Sequence, residues 1–365
     1  MPINNIRFNQ DGSLFCVCHT DGYSIYNVDP FECIDRVRYD DGGLGNVEML
    51  YQSNLLALVG GGSATSLPKF PVNKVILFDA KRNEQIGQVE VRLPVTGVRM
   101  DHNVLVISVS NRVYIYSIDL ECPPTREAIK FLGAFDSLNR KQSSLAVEMS
   151  DKGVCTIAFP GKPVGTVEIV RLNTGDTGKQ EISLGGIMTA HDSQIACLAV
   201  SKSGRHLATC SQKGTLIRVF DIQQDRGRRS MTHEFRRGLE HVEINSMTFS
   251  DDDEKLLVCD GPLKGTIHVF NLDTCLKKTV VQHPKQLKHV LPKYFTSTWS
   301  HAQIHLDPGD PFVARFCRVG KDNMSLNPAQ VVLVIRQNGL MNKYLIDEER
   351  GGEAALMSTV SFDIE

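Results

Sequence analysis

The sequence predicts an all-β protein, and more specifically a seven-bladed β-propeller, on the basis of three observations. Short runs rich in valine, isoleucine, phenylalanine and tyrosine recur along all 365 residues, separated by glycine, aspartate, asparagine and serine, as is typical of strands and turns. Segments with helical periodicity are scarce. The runs group into seven units of about 52 residues, the size of a four-stranded propeller blade with longer loops.

The clearest two units lie in the second half of the chain, where Phe220 and Phe270 end equivalent strands 50 residues apart. With weaker copies, the units begin near Ile3, Val47, Val95, Ser144, Ile195, Ile244 and Phe312. Each small sheet can bury its faces only against its neighbours, which favours a ring over two unrelated β-sandwiches. The Gly-His and Trp-Asp dipeptides of WD repeats are absent. We therefore predict a divergent WD-repeat propeller forming one domain over residues 1–365.

Composition and charge exclude several classes of protein. Charged residues make up 22% and hydrophobic residues 41% of the chain, which excludes an intrinsically disordered protein. The 40 basic and 42 acidic side chains give a net charge of −2. A nucleic-acid-binding protein usually has a basic excess, so we expect no nucleic-acid partner.

Cysteine usage and the termini predict a cytoplasmic protein. None of the ten cysteines forms C-x-x-C, and most lie in apolar runs such as Leu14-Phe-Cys-Val-Cys18, as expected for small buried side chains in a reducing compartment. The first residues lack the basic and apolar regions of a signal peptide. No apolar run approaches the about 18 residues of a membrane span, so we expect any membrane contact to be peripheral.

A local basic excess surrounds two adjacent arginines. Residues 202–241 carry nine Lys or Arg against four acidic side chains, and they include Phe235-Arg236-Arg237-Gly238. Neighbouring residues of an extended segment point to opposite sides, so the two arginines would serve two separate pockets. Because the guanidinium fork matches phosphate oxygens, we predict two anion pockets. The simpler alternative is a solvated strand end.

Hydroxyl, lysine and histidine side chains flank the arginine pair on both sides in the sequence. Ser211-Gln-Lys-Gly-Thr215 and Arg218 precede it, with His191 one inter-strand loop earlier, and Lys264-Gly-Thr-Ile-His268 follows it. Such donors beside arginine suit a phosphorylated, polyhydroxylated head group. Taken alone, each Lys-Gly-Thr run is equally consistent with an ordinary β-turn.

A second basic region lies between Asp273 and Asp307, with five lysines, four histidines and no acidic residue. Its apolar side chains, including Leu287, Val290 and Leu291, follow one helical face, although Pro292 would break a long helix. A basic, apolar loop of this kind at about 274–298 suits shallow insertion at a membrane interface. The alternative is a loop whose apolar side chains fold back on a blade.

Motifs of enzymes and metal sites are missing. There is no G-x-S-x-G, no H-E-x-x-H and no P-loop. His301 and His305 have a spacing that suits a helical metal site, but the segment reads as a strand and lacks a third ligand. We therefore expect no enzymatic activity, no cofactor and no metal.

Four segments together resemble the PROPPIN family of seven-bladed propellers that bind polyphosphoinositides. Phe235-Arg-Arg-Gly238 is similar to the family's L/F-R-R-G motif, and Ser211 to Asp221 resembles its Ser-x-Lys-Gly-Thr-Leu-Ile-Arg strand pair. The other two segments resemble its second-blade sequence and the end of its sixth-blade loop, the latter especially in the Wipi-like autophagy subgroup with short tails: Leu56-Ala-Leu-Val-Gly-Gly-Gly62 with Pro68-Lys-Phe-Pro71 and Asn73-Lys-Val75, and Leu291-Pro-Lys-Tyr-Phe295 with Trp299-Ser300. The resemblance spans nearly the whole chain.

The resemblance implies recognition of phosphatidylinositol 3-phosphate and phosphatidylinositol 3,5-bisphosphate in two pockets. By position, the first pocket would use Arg236, His191, Ser211, Lys213, Thr215 and Arg218. The second would use Arg237, His241, Lys264, Thr266 and His268. The loop with Leu287, Val290 and Leu291 would correspond to the family's membrane-inserting loop. The chain departs from the family at Cys259-Asp-Gly-Pro-Leu-Lys-Gly-Thr266, where the family usually reads Ser-Ser-Asp-x-Gly-Thr.

By resemblance, the protein would be a monomeric phosphoinositide effector that recruits an autophagy lipid-transfer or scaffold protein. It would act in autophagosome formation or endosomal traffic, bound peripherally to phagophore, endosomal or vacuolar/lysosomal membranes. The alternative is a protein-interaction propeller whose basic blades bind an acidic peptide. Preference for the phosphoinositide over other anionic lipids of equal charge distinguishes the two.

Overall fold

Seven antiparallel sheets make up the part of the chain that the structure, a computed structural model, describes. The described residues are 3–61, 67–119, 129–138, 144–173, 181–223, 230–272, 298–317 and 331–362. They contain 29 β-strands and no α-helix. Each sheet is a blade of strands taken in chain order, so the predicted all-β, seven-bladed propeller is confirmed.

The first four blades follow one pattern of four consecutive strands. Blade 1 contains β1 (Ile3–Phe8), β2 (Leu14–His19), β3 (Gly22–Asn27) and β4 (Glu32–Arg38). Blade 2 contains β5 (Leu44–Met49), β6 (Leu55–Gly60), β7 (Lys74–Asp79) and β8 (Glu84–Glu90). Blade 3 contains β9 (Val95–Asp101), β10 (Val104–Val109), β11 (Arg112–Ile118) and β12 (Ile129–Asp136). Blade 4 contains β13 (Ala146–Met149), β14 (Val154–Pro160), β15 (Thr166–Asn173) and β16 (Glu181–Thr189).

The last three blades complete the set, with one strand added to blade 6. Blade 5 contains β17 (Ile195–Val200), β18 (His206–Ser211), β19 (Leu216–Asp221) and β20 (Ser230–Arg236). Blade 6 contains β21 (Ile244–Phe249), β22 (Lys255–Asp260), β23 (Thr266–Asn271) and β24 (Ala302–His305), and the short β28 (Gly352–Glu353) pairs with β24 in parallel. Blade 7 contains β25 (Phe312–Phe316), β26 (Val331–Arg336), β27 (Leu340–Leu345) and β29 (Ala355–Ser361).

The blades form a closed ring around their first strands. Each first strand contacts the first strand of the next blade, and β25 of blade 7 contacts β1 of blade 1. In the described residues, one apolar cluster fills each of the seven interfaces between neighbouring blades. The core is therefore distributed between blades, which is why the repeat was readable from the sequence.

The ring closes by side-chain packing, because blade 1 and blade 7 share no strand. Phe15 stacks on Tyr26 at 5.0 Å between ring centroids, and Phe362 packs edge-on against Phe15 at 5.5 Å. Across the same interface, the Arg315 guanidinium donates hydrogen bonds to the carbonyl oxygens of Asn9 and Gln10, at 3.3 and 2.7 Å. Burial of aromatic rings thus takes the place of a shared strand ladder.

Charged side chains lie around the axis of the ring. A cavity of about 160 Å³ is lined there by charged side chains and by apolar residues, the charged ones being Arg99, Glu148, Lys202, Asp251 and Arg315. Removal of Glu148 from water, together with the nearby Asp101 carboxylate, raises the pKa of its carboxyl group to about 8. Glu148 is therefore mainly protonated at neutral pH.

We expect Glu148→Gln to remove a pH dependence of stability. Because the folded protein holds this proton up to about pH 8 while an unfolded glutamate releases it near its ordinary value, the free energy of unfolding falls as the pH rises through that interval. The variant should match the wild type near pH 5 and melt a few degrees higher at pH 8.5. Thermal denaturation at both pH values tests this, and identical pH slopes for the two proteins would contradict it.

Cysteines in the described residues are mostly buried. Eight are free thiols, and of these only Cys33 is exposed. Burial raises the pKa of the Cys210 thiol to about 12, so this thiol is unreactive at neutral pH. Within the same residues, no helix has the length and apolar character needed to cross a membrane, and no group of three or more metal-ligating side chains is placed to hold an ion.

Candidate functional site

The arginine pair lies at the end of β20, where blades 4, 5 and 6 come together. Phe235, the residue before the pair, is fully buried and stacks on Phe270 of blade 6 with 4.7 Å between ring centroids. Since side chains alternate along a strand, Arg236 faces blade 4 and Arg237 faces blade 6. Arg236 is also held through its backbone, whose N–H donates to the carbonyl oxygen of Thr298 at 2.9 Å.

Three residues predicted for the first pocket share one face of blade 5. In register, Thr209 on β18 is opposite Arg218 on β19, which in turn is opposite Glu234 on β20. Ser211 lies two residues beyond Thr209, and Arg236 lies two residues beyond Glu234. The side chains of Ser211, Arg218 and Arg236 therefore all face blade 4.

His191 approaches this face from blade 4, just beyond the end of β16. Its Nε2 lies 3.0 Å from Thr209 Oγ1, and the adjacent Ala190 carbonyl oxygen accepts a hydrogen bond from Arg218 Nη1 at 2.6 Å. Burial and the positive charge of Arg218 lower the pKa of His191 to about 4. At neutral pH the imidazole is uncharged, so His191 positions its neighbours by hydrogen bonding and adds no positive charge.

Lys213 and Thr215 lie in the turn between β18 and β19, at the end of blade 5 that carries the arginine pair. Gly214 has φ +66°, and a Cβ atom there would lie 1.7 Å from the carbonyl oxygen of Val242, so only glycine fits this close approach. Lys213 is exposed and Thr215 is half-buried. The turn thus offers the Lys213 ammonium group to solvent. Thr215 precedes Leu216, the register partner of Arg236, and its carbonyl oxygen accepts a hydrogen bond from Arg237 N–H at 3.0 Å, so Thr215 lies on the Arg237 side of the strand end.

Part of the positive charge of this group is already neutralised. Arg218 Nε lies 2.8 Å from Glu234 Oε2, and both side chains are partly buried. Lys213 is exposed and Arg236 is half-buried. The sequence analysis did not identify Glu234 as a member of the site.

Arg237 points the other way and is buried between blades 5 and 6. Its side chain is 6% exposed, and its Nη1 lies 3.3 Å from Asp260 Oδ2. Its Nε donates to the carbonyl oxygen of Gly214 at 2.9 Å, and its Nη2 donates to the carbonyl oxygen of Glu240. These three contacts join the turn with Gly214, the segment with Glu240 and the end of β22 with Asp260. Arg237 therefore stabilises this interface, whether or not it also binds a ligand.

Strands β22 and β23 form the opposite wall of the second group. His268 is opposite Val258 in register, Asp260 lies two residues beyond Val258, and Thr266 lies two residues before His268. His268, Asp260 and Thr266 therefore share the face turned toward blade 5. His268 Nε2 lies 3.6 Å from Asp260 Oδ2, and its Nδ1 lies 3.4 Å from Ser300 Oγ.

Lys264 and His241 lie at the outer edge of this group. Lys264 Nζ lies 2.5 Å from Glu240 Oε2, and the hydrogen bond from Lys264 lowers the pKa of the Glu240 carboxyl group. His241 is exposed beside them. Two carboxylates, Glu240 and Asp260, thus lie among the predicted cationic residues, and the sequence analysis identified neither.

The two Lys-Gly-Thr runs are not equivalent in the structure. Arg218 and His268 occupy equivalent places, since each follows an isoleucine paired with a cysteine of the preceding strand. As a result, Thr266 is equivalent to Leu216 and not to Thr215. The Lys-Gly-Thr run is repeated in the sequence, but equivalent positions in the two predicted pockets hold different side chains.

The predicted membrane-contact loop at about 274–298, with Leu287, Val290 and Leu291, lies outside the described residues except for its last residue. Thr298 adjoins Arg236 through the backbone hydrogen bond described above. A different cavity, of about 550 Å³, lies at blade 3, between the segment that follows β8 and blade 4, with Arg92, Arg112 and Lys162 in its lining. None of the residues predicted for the two pockets lines this cavity.

Comparison with known proteins decides the family. The profile of the PROPPIN family matches residues 3–362. The chain belongs to the PROPPIN family. SVP1-like protein 2 of Pichia angusta is 33% identical over 351 residues, covering 94% of this chain and 91% of that protein. Autophagy-related protein 18 of Yarrowia lipolytica is 28% identical over 411 residues, covering 98% and 96% of the two chains.

Solved structures of PROPPIN propellers have the same fold. Kluyveromyces lactis Hsv2 superposes with a TM-score of 0.71 at 22% identity, covering 99% of both chains. KlAtg21, solved in complex with the coiled coil of AgAtg16, gives a TM-score of 0.74 at 22% identity over the full length of both chains. Phosphoinositide binding is general to PROPPINs, which are binding and scaffold proteins rather than enzymes. PROPPIN relatives are peripheral membrane proteins of autophagy.

Proposed function

We propose that this PROPPIN recognises phosphatidylinositol 3-phosphate and phosphatidylinositol 3,5-bisphosphate in two pockets on either side of its arginine pair. The first pocket combines Arg236 with His191, Ser211, Lys213, Thr215 and Arg218, and the second combines Arg237 with His241, Lys264, Thr266 and His268. The observation that carries the proposal is the orientation of the pair. Arg236 and Arg237 face opposite neighbouring blades. Ser211 and Arg218 share the face of Arg236, and Thr266 and His268 lie on the wall that faces Arg237.

The two pockets would contribute unequally. In the first, Lys213 is exposed and Arg236 is half-buried, so a phosphate that approaches from solvent meets the Lys213 ammonium group first. In the second, Arg237 already binds Asp260 and two carbonyl oxygens. A phosphate there would first meet Lys264, His241 and Thr266, while Arg237 holds the wall behind them.

Bound lipid would place the protein on phagophore, endosomal or vacuolar/lysosomal membranes, with the loop at about 274–298 inserted. Two weak head-group contacts and an inserted loop raise avidity by roughly 10²–10⁴ when they act together. The docked protein, a monomer, would recruit an autophagy lipid-transfer or scaffold protein in autophagosome formation or endosomal traffic. The coiled-coil partner of KlAtg21 supports recruitment as a general mode of action.

Vesicle flotation at matched surface charge tests the proposal. The wild-type protein should float with vesicles that contain phosphatidylinositol 3-phosphate and remain unbound with phosphatidylserine vesicles of the same total charge. Selectivity is expected because directed hydrogen bonds, unlike a diffuse field, distinguish a monoester phosphate from other anions. Equal flotation with both kinds of vesicle would contradict recognition of the head group.

A second candidate function is binding of an acidic peptide. The observation that favours it is the cavity of about 550 Å³ at blade 3, beside blade 4, with its three cationic side chains. Asp136 lies 3.3 Å from Arg112 Nε and 3.5 Å from Lys162 Nζ, so it neutralises part of this charge. A peptide could bind in this cavity while lipid binds at blades 5 and 6. If the vesicle flotation experiment shows no selective lipid binding, peptide binding is the remaining candidate function.

A further inference from the structure

Two exposed leucines lie at the rim of the second pocket. Leu239 is 61% exposed and Leu263 is 88% exposed, the latter being the most exposed large apolar side chain in the described residues. Leu239 precedes Glu240, and Leu263 precedes Lys264, so the Glu240–Lys264 ion pair at 2.5 Å brings the two segments together. Most of each leucine side chain is in water, and neither leucine belongs to the apolar clusters that fill the interfaces on the two sides of blade 6.

Both leucines are carried by segments that the fold holds in place. The turn with Leu263 is closed by hydrogen bonds from the N–H groups of Lys264 and Gly265 to the carbonyl oxygen of Gly261, both 3.1 Å, and Gly309 N–H donates to the carbonyl oxygen of Pro262 at 2.9 Å. The segment with Leu239 is held by the hydrogen bond from Arg237 to the Glu240 carbonyl oxygen. The leucines are therefore presented to solvent by rigid segments.

The surroundings of the pair match an anionic lipid interface. Lys213, His241 and Lys264 are exposed around the mouths of the two pockets. Apolar side chains beside cationic ones, on a surface that meets anionic lipid, insert at the boundary between head groups and acyl chains. Phosphate groups bound in the pockets would bring that boundary to this rim.

We infer that Leu239 and Leu263 form a rigid apolar wedge that inserts into an anionic phosphoinositide membrane at blades 5 and 6, separately from the loop at about 274–298. The inference rests on the proposed function, since the head group orients the wedge toward the bilayer. In this contact the side chains of Leu239 and Leu263 enter the lipid and do not touch the head-group phosphate. Compared with the family's usual sequence, the chain has extra residues between Asp260 and Thr266, and these residues include Leu263. Their proposed role is to expose Leu263 to the membrane.

Aspartate substitutions test the wedge, with Leu67 as the matched control. Leu67 is 78% exposed in blade 2, on the opposite side of the seven-bladed ring. Because the variant loses the burial of one leucine side chain in the lipid, we expect Leu263→Asp to weaken binding to phosphatidylinositol 3-phosphate vesicles roughly 10- to 100-fold. Binding of the short-chain, water-soluble form of the same lipid should not change, and Leu67→Asp should affect neither. Unchanged vesicle binding by Leu263→Asp, or an equal loss with the soluble lipid, would overturn the wedge.

Fluorescence separates failure of the wedge from failure of the proposed function. Trp299 is the only tryptophan of the chain, so Leu263→Trp in a Trp299→Phe background gives a single reporter, with Leu67→Trp in the same background as control. In vesicles with brominated acyl chains, we expect quenching for Leu263→Trp only. Vesicle binding without quenching overturns the wedge alone, and absence of any vesicle binding by the wild type overturns the proposed function together with the wedge.

Discussion

Arg237→Ala should lower the free energy of unfolding by about 3–5 kcal/mol, the usual cost of breaking a buried ion pair. The substitution leaves the Asp260 carboxylate, which is 1% exposed, without its guanidinium partner. It also removes the hydrogen bonds to the carbonyl oxygens of Gly214 and Glu240. Chemical denaturation measures the loss directly, and Arg236→Ala is the natural comparison because Arg236 is half-buried whereas Arg237 is buried.

A double-mutant cycle assigns the loss to the ion pair. If the unpaired carboxylate is the main cause, Arg237→Ala combined with Asp260→Ala should be more stable than the sum of the two single losses predicts, by at least about 1 kcal/mol. Strictly additive losses would contradict a coupled pair. The result also bears on lipid-binding experiments, because a variant that replaces both arginines loses stability through Arg237 as well as any phosphate contact through Arg236.

Arg236→Ala should weaken binding to phosphatidylinositol 3-phosphate vesicles by roughly 10- to 100-fold while leaving the protein folded. A hydrogen bond to a charged group contributes about 1.5–3 kcal/mol, and the Arg236 side chain would supply such a bond to the phosphate in the first pocket. The contact that holds this segment, from Arg236 N–H to the Thr298 carbonyl oxygen at 2.9 Å, does not involve the side chain. Vesicle co-sedimentation across a lipid titration gives the change in affinity.

Arg82→Ala is the control for loss of charge. Arg82 is 67% exposed and pairs with Asp79 and Glu84 in blade 2, far around the ring from blade 5. A general electrostatic attraction would fall to the same extent in both variants, whereas pocket binding falls only in Arg236→Ala. Equal affinities for Arg82→Ala and Arg236→Ala would remove Arg236 from the site.

The fold was largely predictable because each repeat has its own local pattern of strand and turn residues. Strand runs and turn residues recur in each unit, and the predicted starts at Ile195, Ile244 and Phe312 coincide with the first residues of β17, β21 and β25. The closure of the ring was not predictable. It depends on contacts between the two ends of the chain, such as those of Arg315 with Asn9 and Gln10, and no local pattern records them.

The candidate site was predictable in part, for a similar reason. Alternation along a strand places Arg236 and Arg237 on opposite faces, and the structure has this arrangement. The carboxylates Glu234 and Asp260 that pair with Arg218 and Arg237 come from other strands, so only the register reveals them. The net positive charge counted along residues 202–241 is therefore greater than the charge available to a ligand.

The most direct test of the account is a calorimetric titration with a short-chain, water-soluble phosphatidylinositol 3-phosphate. Without a membrane, neither the wedge nor an inserted loop contributes, so the heat reports head-group recognition alone. We expect saturable binding to the wild type, at least tenfold weaker binding to Arg236→Ala, and no binding of the matching phosphatidylinositol that lacks the 3-phosphate. Absence of binding to the wild type, or equal binding of the two soluble lipids, would contradict it.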